Sequence, residues 1–183
     1  MDEAKKMNDL VRKLLNLNQI EFGSNSLDLS RFDLSLMIEN KLASLRIMFE
    51  KKQIRLSYEP CGSMFVWADE LMIEEVFGNY ISNAINHVPD GGRIRIWCRQ
   101  TGGCLRVHVY NDGKNIPGED LDKIWIKFYK VDKARTREYG GSGIGLSIVA
   151  ATMKAHGKAY GVSNEPEGVD FYFDLDTEPG LTC

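Results

Sequence analysis

Glu75-Val76-Phe77-Gly78-Asn79-Tyr80-Ile81-Ser82-Asn83-Ala84-Ile85-Asn86-His87 is the stretch around which the rest of the chain is organised. At about 100° per residue, Glu75, Asn79, Asn83, Asn86 and His87 fall on one stripe of a helix. Ile73, Phe77, Tyr80, Ile81, Ala84 and Val88 fall on the other face. Asp69 is placed to cap this helix, which is predicted to run from Glu70 to about His87 and to end at Pro89-Asp90-Gly91-Gly92. Asparagine costs a helix roughly 0.5 kcal/mol against alanine, so an asparagine row is an unfavourable choice for plain scaffolding. An amide oxygen can ligate a metal, and its NH2 can donate to phosphate oxygens. The alternative is a solvated helix face, although such faces more often use lysine and glutamate.

Downstream, Arg93 to Arg99 and Leu105 to Tyr110 alternate as two strands around a turn at Thr101-Gly102-Gly103. Asn111-Asp112-Gly113-Lys114-Asn115-Ile116-Pro117 reads by itself as a turn. The stretch from Asn111 to about Gly145 is long and irregular, with a short helix expected near Asp120 to Phe128. A loop of that length in a compact domain usually has a function. It carries Lys123, Lys127, Lys130, Lys133, Arg135 and Arg137, opposed there by Asp132. On its own such a run is a solvated surface; beside a glycine loop it suits a polyphosphate. Gly140-Gly141-Ser142-Gly143-Ile144-Gly145-Leu146 then enters a helix from Ile144 to His156. Backbone N–H groups at such a junction form an anion site, although a mobile hinge explains a glycine loop equally well. No Gly-Lys-Ser/Thr follows, and the spacing is not that of a dinucleotide fingerprint. Tyr160 to Asn164 and Val169 to Leu175 read as closing strands.

Upstream, Ile54 to Glu59 and Met64 to Trp67 read as strands. One helix is expected from an Asp33 cap to about Lys52, with Leu36, Met37, Leu42, Leu45, Ile47, Met48 and Phe49 as its apolar set. Another runs from about Asp2 to Phe22, with Met7, Leu10, Val11, Leu14, Leu15 and Leu17 at helical spacing, broken by Gly23-Ser24-Asn25-Ser26. Its stripe calls for a partner outside the chain. The interleaved order argues for an α/β sandwich, a mixed sheet with helices on one face.

The chain has 183 residues, 43% hydrophobic and 27% charged, with a formal net charge of −3. That composition is of the globular class, and the acidic balance disfavours a nucleic-acid partner held by a broad basic field. No apolar run reaches the ~20 residues of a membrane helix. Cys61, Cys98, Cys104 and Cys183 contain no C-x-x-C pair, which disfavours a zinc site of the usual spacing. They are expected to be free thiols in a reducing compartment, with Cys98 and Cys104 near each other across the turn.

The four features in this order resemble the catalytic ATP-binding domain of sensor histidine kinases, in the Bergerat-fold (GHKL) superfamily. The N-box resembles Glu75 to His87, and the first glycine box resembles Asn111 to Pro117. The F-box resembles Ile124-Trp125-Ile126-Lys127-Phe128-Tyr129-Lys130-Val131-Asp132, and the second glycine box resembles Gly141-Ser142-Gly143-Ile144-Gly145-Leu146. The resemblance implies a Bergerat fold with a mixed sheet covered on one face by helices, over residues 31–176. It also implies a helical stub at 1–22, the end of a dimerisation and phosphoacceptor helix, with a linker at 23–30 and a tail at 177–183.

By resemblance, ATP and Mg2+ are the ligands. Asn83 matches the magnesium asparagine and Asn79 its partner one turn earlier. Asn111 stands where an aspartate usually receives the adenine amino group. Gly113 lets the backbone approach the base, beside Ile116. Residues from about Gly118 to Gly140 resemble a lid, with Phe128 and Tyr129 in the F-box. Lys130 and Arg135 or Arg137 are phosphate-facing cations; Gly141, Ser142, Gly143, Ile144, Gly145 and Leu146 close on the phosphates. Asn86 and His87 replace the usual basic and aromatic pair, and His87 is placed to meet a phosphate or the sugar, or to be a plain surface histidine.

Asn111 and Asn115 depart from the pattern: a neutral amide accepts a weaker bond than a carboxylate does. Asn79 stands where ATP-hydrolysing relatives carry a glutamate base, and an amide takes no proton, so phosphoryl transfer is favoured over hydrolysis. His87, His108 and His156 lack the setting of a phosphoacceptor. The resemblance therefore implies a piece of a longer membrane-anchored homodimeric kinase. Its catalytic domain would be cytoplasmic, acting on a histidine of its own dimerisation domain for relay to a response regulator. The alternatives are a regulatory nucleotide-binding module without transfer activity, which Asn111 and Asn115 favour, and an anti-sigma-factor-type serine kinase, against which the N-terminal helix argues.

Overall fold

The computed structural model of the chain describes residues 3–21, 26–60, 62, 64–131 and 142–179. Helix α1 (Glu3–Glu21) precedes strand β1 (Ser30–Asp33), helices α2 (Leu34–Ser44) and α3 (Arg46–Lys51), and strands β2 (Arg55–Glu59) and β3 (Phe65–Ala68). Helix α4 (Glu70–His87) leads to the hairpin β4 (Arg93–Thr101) and β5 (Cys104–Asp112). After two single turns of 3-10 helix (Gly118–Asp120 and Lys123–Trp125) come helix α5 (Gly145–Ala155) and the hairpin β6 (Tyr160–Glu165) and β7 (Gly168–Asp176).

Among the described residues the strands form one seven-stranded sheet, β1-β3-β7-β5-β4-β2, with β6 paired to β7 off that path. β2 runs parallel to β4, and the other pairings are antiparallel. Strand alternation sorts the side chains. Ile94, Ile96, Val107, Val109, Phe171 and Phe173 are buried in one core with Leu34 and Ile38 of α2, Ile73, Phe77 and Ile81 of α4, and Val149 and Met153 of α5. The other face carries a polar ladder. Arg106 grips Asp174 with two bonds of 2.7 and 2.8 Å. His108 stacks on Trp97 with centroids 4.6 Å apart, and its Nδ1 lies 2.8 Å from the Asp170 carboxylate. The mixed sheet with helices on one face is thus as expected.

Three local expectations are corrected and one strand is added. The helix expected from Asp33 to Lys52 is two helices, because Leu45 leaves helical geometry at φ −99°, ψ 1°. The break lets Leu34, Met37, Ile38 and Leu42 face one side and Phe49 turn inward, while Leu36, Ile47 and Met48 are exposed. Ser30–Asp33, too short to alternate visibly, pairs with β3. Cys98 lies opposite Val107 and Cys104 opposite Thr101, so the register holds those cysteines apart. Cys104 is disulfide-bonded.

The stripe of α1 does have a partner in the chain. Leu10, Leu14 and Leu17 pack on Ile144, Ile148 and Ala151, with Leu17 fully buried. Met7, Val11 and Leu15, one turn apart from each other, remain exposed.

His156 closes a joint between two helices. Its Nδ1–H donates to the Thr152 carbonyl at 2.8 Å, and its Nε2 accepts the Asp69 N–H at 3.1 Å. Asp69 is the cap of α4, accepting from the Met72 N–H at 3.1 Å. Burial lowers the pKa of His156, and Nε2 must stay unprotonated to accept. The unfolded chain binds a proton near pH 6.5 that the fold resists. Stability from this joint is present above about pH 6.5 and is lost as pH falls from there through the lowered folded pKa. The urea midpoint of wild type minus that of His156→Gln is therefore expected to narrow between about pH 7.5 and about pH 5. An unchanged difference would show that His156 titrates alike in both states.

Candidate functional site

Helix α4 is pinned at both ends. Asp69 caps its start, and the Lys52 ammonium donates to the Ile85 and Val88 carbonyls near its end, at 2.7 and 3.0 Å. Its apolar face is buried, so the asparagine stripe is presented along the side of a cavity of ≈ 310 Å³. That is within the range of small-molecule sites. Asn79, Asn83, Asn86 and His87 all line it. From the far side come Ser142, Gly143, Gly145 and Leu146, and from the F-box Tyr129 and Lys130.

Unlike α2 and α4, helix α5 begins with no side-chain cap, so the N–H groups of its first turn are available to an anion. Asn79 is fixed against this turn. Its Nδ2 donates to the Glu75 carbonyl at 2.9 Å, and a Cβ placed on Gly145 would lie 2.8 Å from its Oδ1. The bare glycine is what allows α4 and α5 to meet there. Gly143, at φ +71°, accepts the Phe128 N–H at 2.8 Å, which ties the F-box to the glycine loop.

At the other end Asn111, Ile116, Val169 and Phe171 make a mixed polar and apolar wall. Asn111 is buried, and its Nδ2 donates to the Asp112 carbonyl at 3.0 Å. That bond leaves its amide oxygen as the acceptor for a ligand. Asp112 faces away, as strand alternation requires, and is held by Arg93 and Tyr110. Burial raises its carboxyl, but the bonds from the Arg93 side chain and backbone and from Tyr110 outweigh this and leave the pKa below the ordinary carboxylate value.

Three expected residues stand outside the cavity wall. Gly113 lies against the end of α4, where a Cβ would meet the His87 carbonyl at 3.1 Å, so its bareness serves packing. Ile144 is fully buried against Leu17 of α1. The Phe128 side chain is exposed, at φ +64°. Arg135, Arg137 and Gly141 lie outside the described residues. The wall also includes Lys13, Ser82, Lys114, Asn115, Ile124 and Val131, which the sequence reading did not assign to it. Ser82 adjoins Asn83, and Lys114 and Asn115 lie within the first glycine box, so spacing alone marked their neighbourhood. Lys13 had no such signal, because its approach depends on how α1 docks.

Among the described residues no cluster of three His, Cys, Asp or Glu side chains suits a metal. The available donors are amide oxygens. These suit a hard cation that keeps waters and takes its remaining ligands from phosphate, as Mg2+ does.

An uncapped helix start facing an amide row across one cavity is the site of an ATPase class. The chain belongs to the family described as histidine kinase-, DNA gyrase B-, and HSP90-like ATPase, which matches residues 68–179. Among curated relatives, it is 32% identical over 177 residues to the sensor protein VanSB of Enterococcus faecalis, covering 96% of this chain and 38% of that protein. It is 31% identical over 180 residues to the sensor protein kinase WalK of Staphylococcus saprophyticus, covering 97% and 29%. The chain thus spans well under half the length of these relatives. The solved catalytic domain of the histidine kinase ThkA superposes with TM-score 0.74 at 28% identity, covering 82% of this chain and 96% of that one. ThkA in complex with the response regulator protein TrrA gives 0.75 at 27% identity, over 94% of this chain and 49% of that one.

Proposed function

We propose that this chain is the ATP-binding part of a two-component sensor histidine kinase, which presents the γ-phosphate of ATP to a histidine on its own dimerisation domain for relay to a response regulator. The observation that carries this reading is Asn79. The residue one turn before Asn83 is an amide with one end bonded to the helix backbone and the other against Gly145. No side chain at that position can take a proton from water, so the site favours transfer to a strong nucleophile over hydrolysis.

Asn111 would receive the adenine amino group, with Val169 and Phe171 packing near the base. The first turn of α5, with Lys130, would hold the phosphates. Asn83, supported by Asn79, would hold Mg2+ through amide oxygen and phosphate, and that ion supplies charge neutralisation when bound. Residues 1–22 are read as the end of a dimerisation helix, whose exposed Met7, Val11 and Leu15 would face the bundle. No described helix is long and apolar enough to cross a membrane. In this reading the domain works on the cytoplasmic side of a membrane-anchored homodimer.

The test joins this chain to the preceding phosphoacceptor segment of its kinase and supplies γ-labelled ATP. The expected result is an acid-labile, base-stable label on a histidine of that segment, with ATP turnover in the isolated chain slow by comparison. ATP binding with no histidine labelled would instead favour a regulatory nucleotide-binding module.

A further inference from the structure

We propose that Lys13, on α1, is a phosphate-binding residue of the nucleotide site, selecting nucleoside di- and triphosphates over the nucleoside. This rests on the nucleotide reading above and adds to it a ligand from outside the four sequence boxes.

The argument begins with how α1 is seated. Lys13 lies three residues before Asn16 and four before Leu17, so the three share a helix face. Asn16 donates to the Glu75 carboxylate at 2.7 Å, and Leu17 is buried against Ile144 and Ile148. A third tie, from Lys127 to Glu21, sits at the far end of α1. These contacts fix the rotation of α1 about its axis and turn Lys13 toward the cavity, whose wall it joins.

They also fix which end of the cavity Lys13 serves. Glu75 stands one turn before Asn79 on α4, and Ile144 stands between Gly143 and Gly145 of the glycine loop. Lys13 therefore enters beside Asn79 and the uncapped start of α5, not beside Asn111, Val169 and Phe171. The charge is already felt at that end: burial raises the Glu75 pKa, and Lys13 is among the groups that oppose the rise. An ammonium on a flexible stem, arriving where N–H groups point outward, matches the oxygens of a polyphosphate. A nucleoside has nothing to offer it.

The test is calorimetric binding of ADP and of adenosine, with Mg2+, to wild type, Lys13→Ala and Lys13→Arg. Lys13 is exposed and alanine is the best helix former, so the variant is expected to fold. Lys13→Ala is expected to weaken ADP about five- to tenfold at low salt, less at high salt, and to leave adenosine unchanged, while Lys13→Arg keeps most of the ADP affinity. Equal loss for ADP and adenosine would overturn the assignment, because it would mean a disturbed pocket and not a lost phosphate contact. Unchanged ADP affinity in Lys13→Ala would also overturn it, while leaving the nucleotide reading intact. If wild type bound neither ligand, the nucleotide reading would fail first and this assignment with it.

Discussion

Asn83→Ala is expected to remove the Mg2+-dependent part of ATP binding and to lower affinity in the presence of Mg2+ by about ten- to a hundredfold or more. The side chain lines the cavity one turn beyond Asn79, where its amide oxygen is the proposed ligand of Mg2+. Alanine deletes that oxygen and improves helix propensity by roughly 0.5 kcal/mol. Folding stability should therefore hold or rise slightly while binding collapses, which separates a ligand effect from a folding effect. Calorimetry with and without Mg2+, beside a thermal melt, reads both. If wild type and variant bind ATP alike in Mg2+, Asn83 is not the metal asparagine.

Gly168→Ala is expected to be the most destabilising single change around the site. A Cβ there would lie 2.0 Å from the carbonyl oxygen of Asn111 and 2.8 Å from the Tyr110 hydroxyl. The first of these is backbone, which cannot swing aside. Gly168 opens β7 opposite Asp112, so β5 and β7 must separate where Asn111 enters the cavity. Overpacking of this kind costs about 3 kcal/mol, or about 6–12 °C in Tm for a domain of this size. Adenosine binding should fall with it, since Asn111 is carried on the displaced strand. A melt within a degree or so of wild type would mean that the strands accommodate a methyl group there.

The asparagine helix was legible because two unlike faces at period 3.6 leave a strong imprint, and because amides are a poor choice for a helix face unless a ligand wants them. Asn111 and Asp112 face opposite ways, as strand alternation requires of neighbours, and Asp112 is accordingly bonded to Arg93 away from the cavity. What sequence concealed was long-range. Leu17 meets Ile144 across most of the chain, and nothing local distinguishes Leu10, Leu14 and Leu17, which are packed, from Met7, Val11 and Leu15, which are exposed. Two apolar stripes on one helix read as a single stripe, so α1 was assigned an external partner for all of it. The break at Leu45 was hidden for a similar reason, since no glycine or proline marks it and only the burial of Phe49 explains it. Gly113 shows a further contact that spacing did not reveal, its bare Cα lying against the end of α4.

The path of strands ends at β1 on one side and β2 on the other, four and five residues long. These borders carry Arg31 and Asp33, and Arg55 and Glu59. Short charged borders offer a neighbouring molecule few open backbone groups to pair with and charges to bury in doing so. These two borders are thereby guarded against pairing with the strands of a neighbouring molecule.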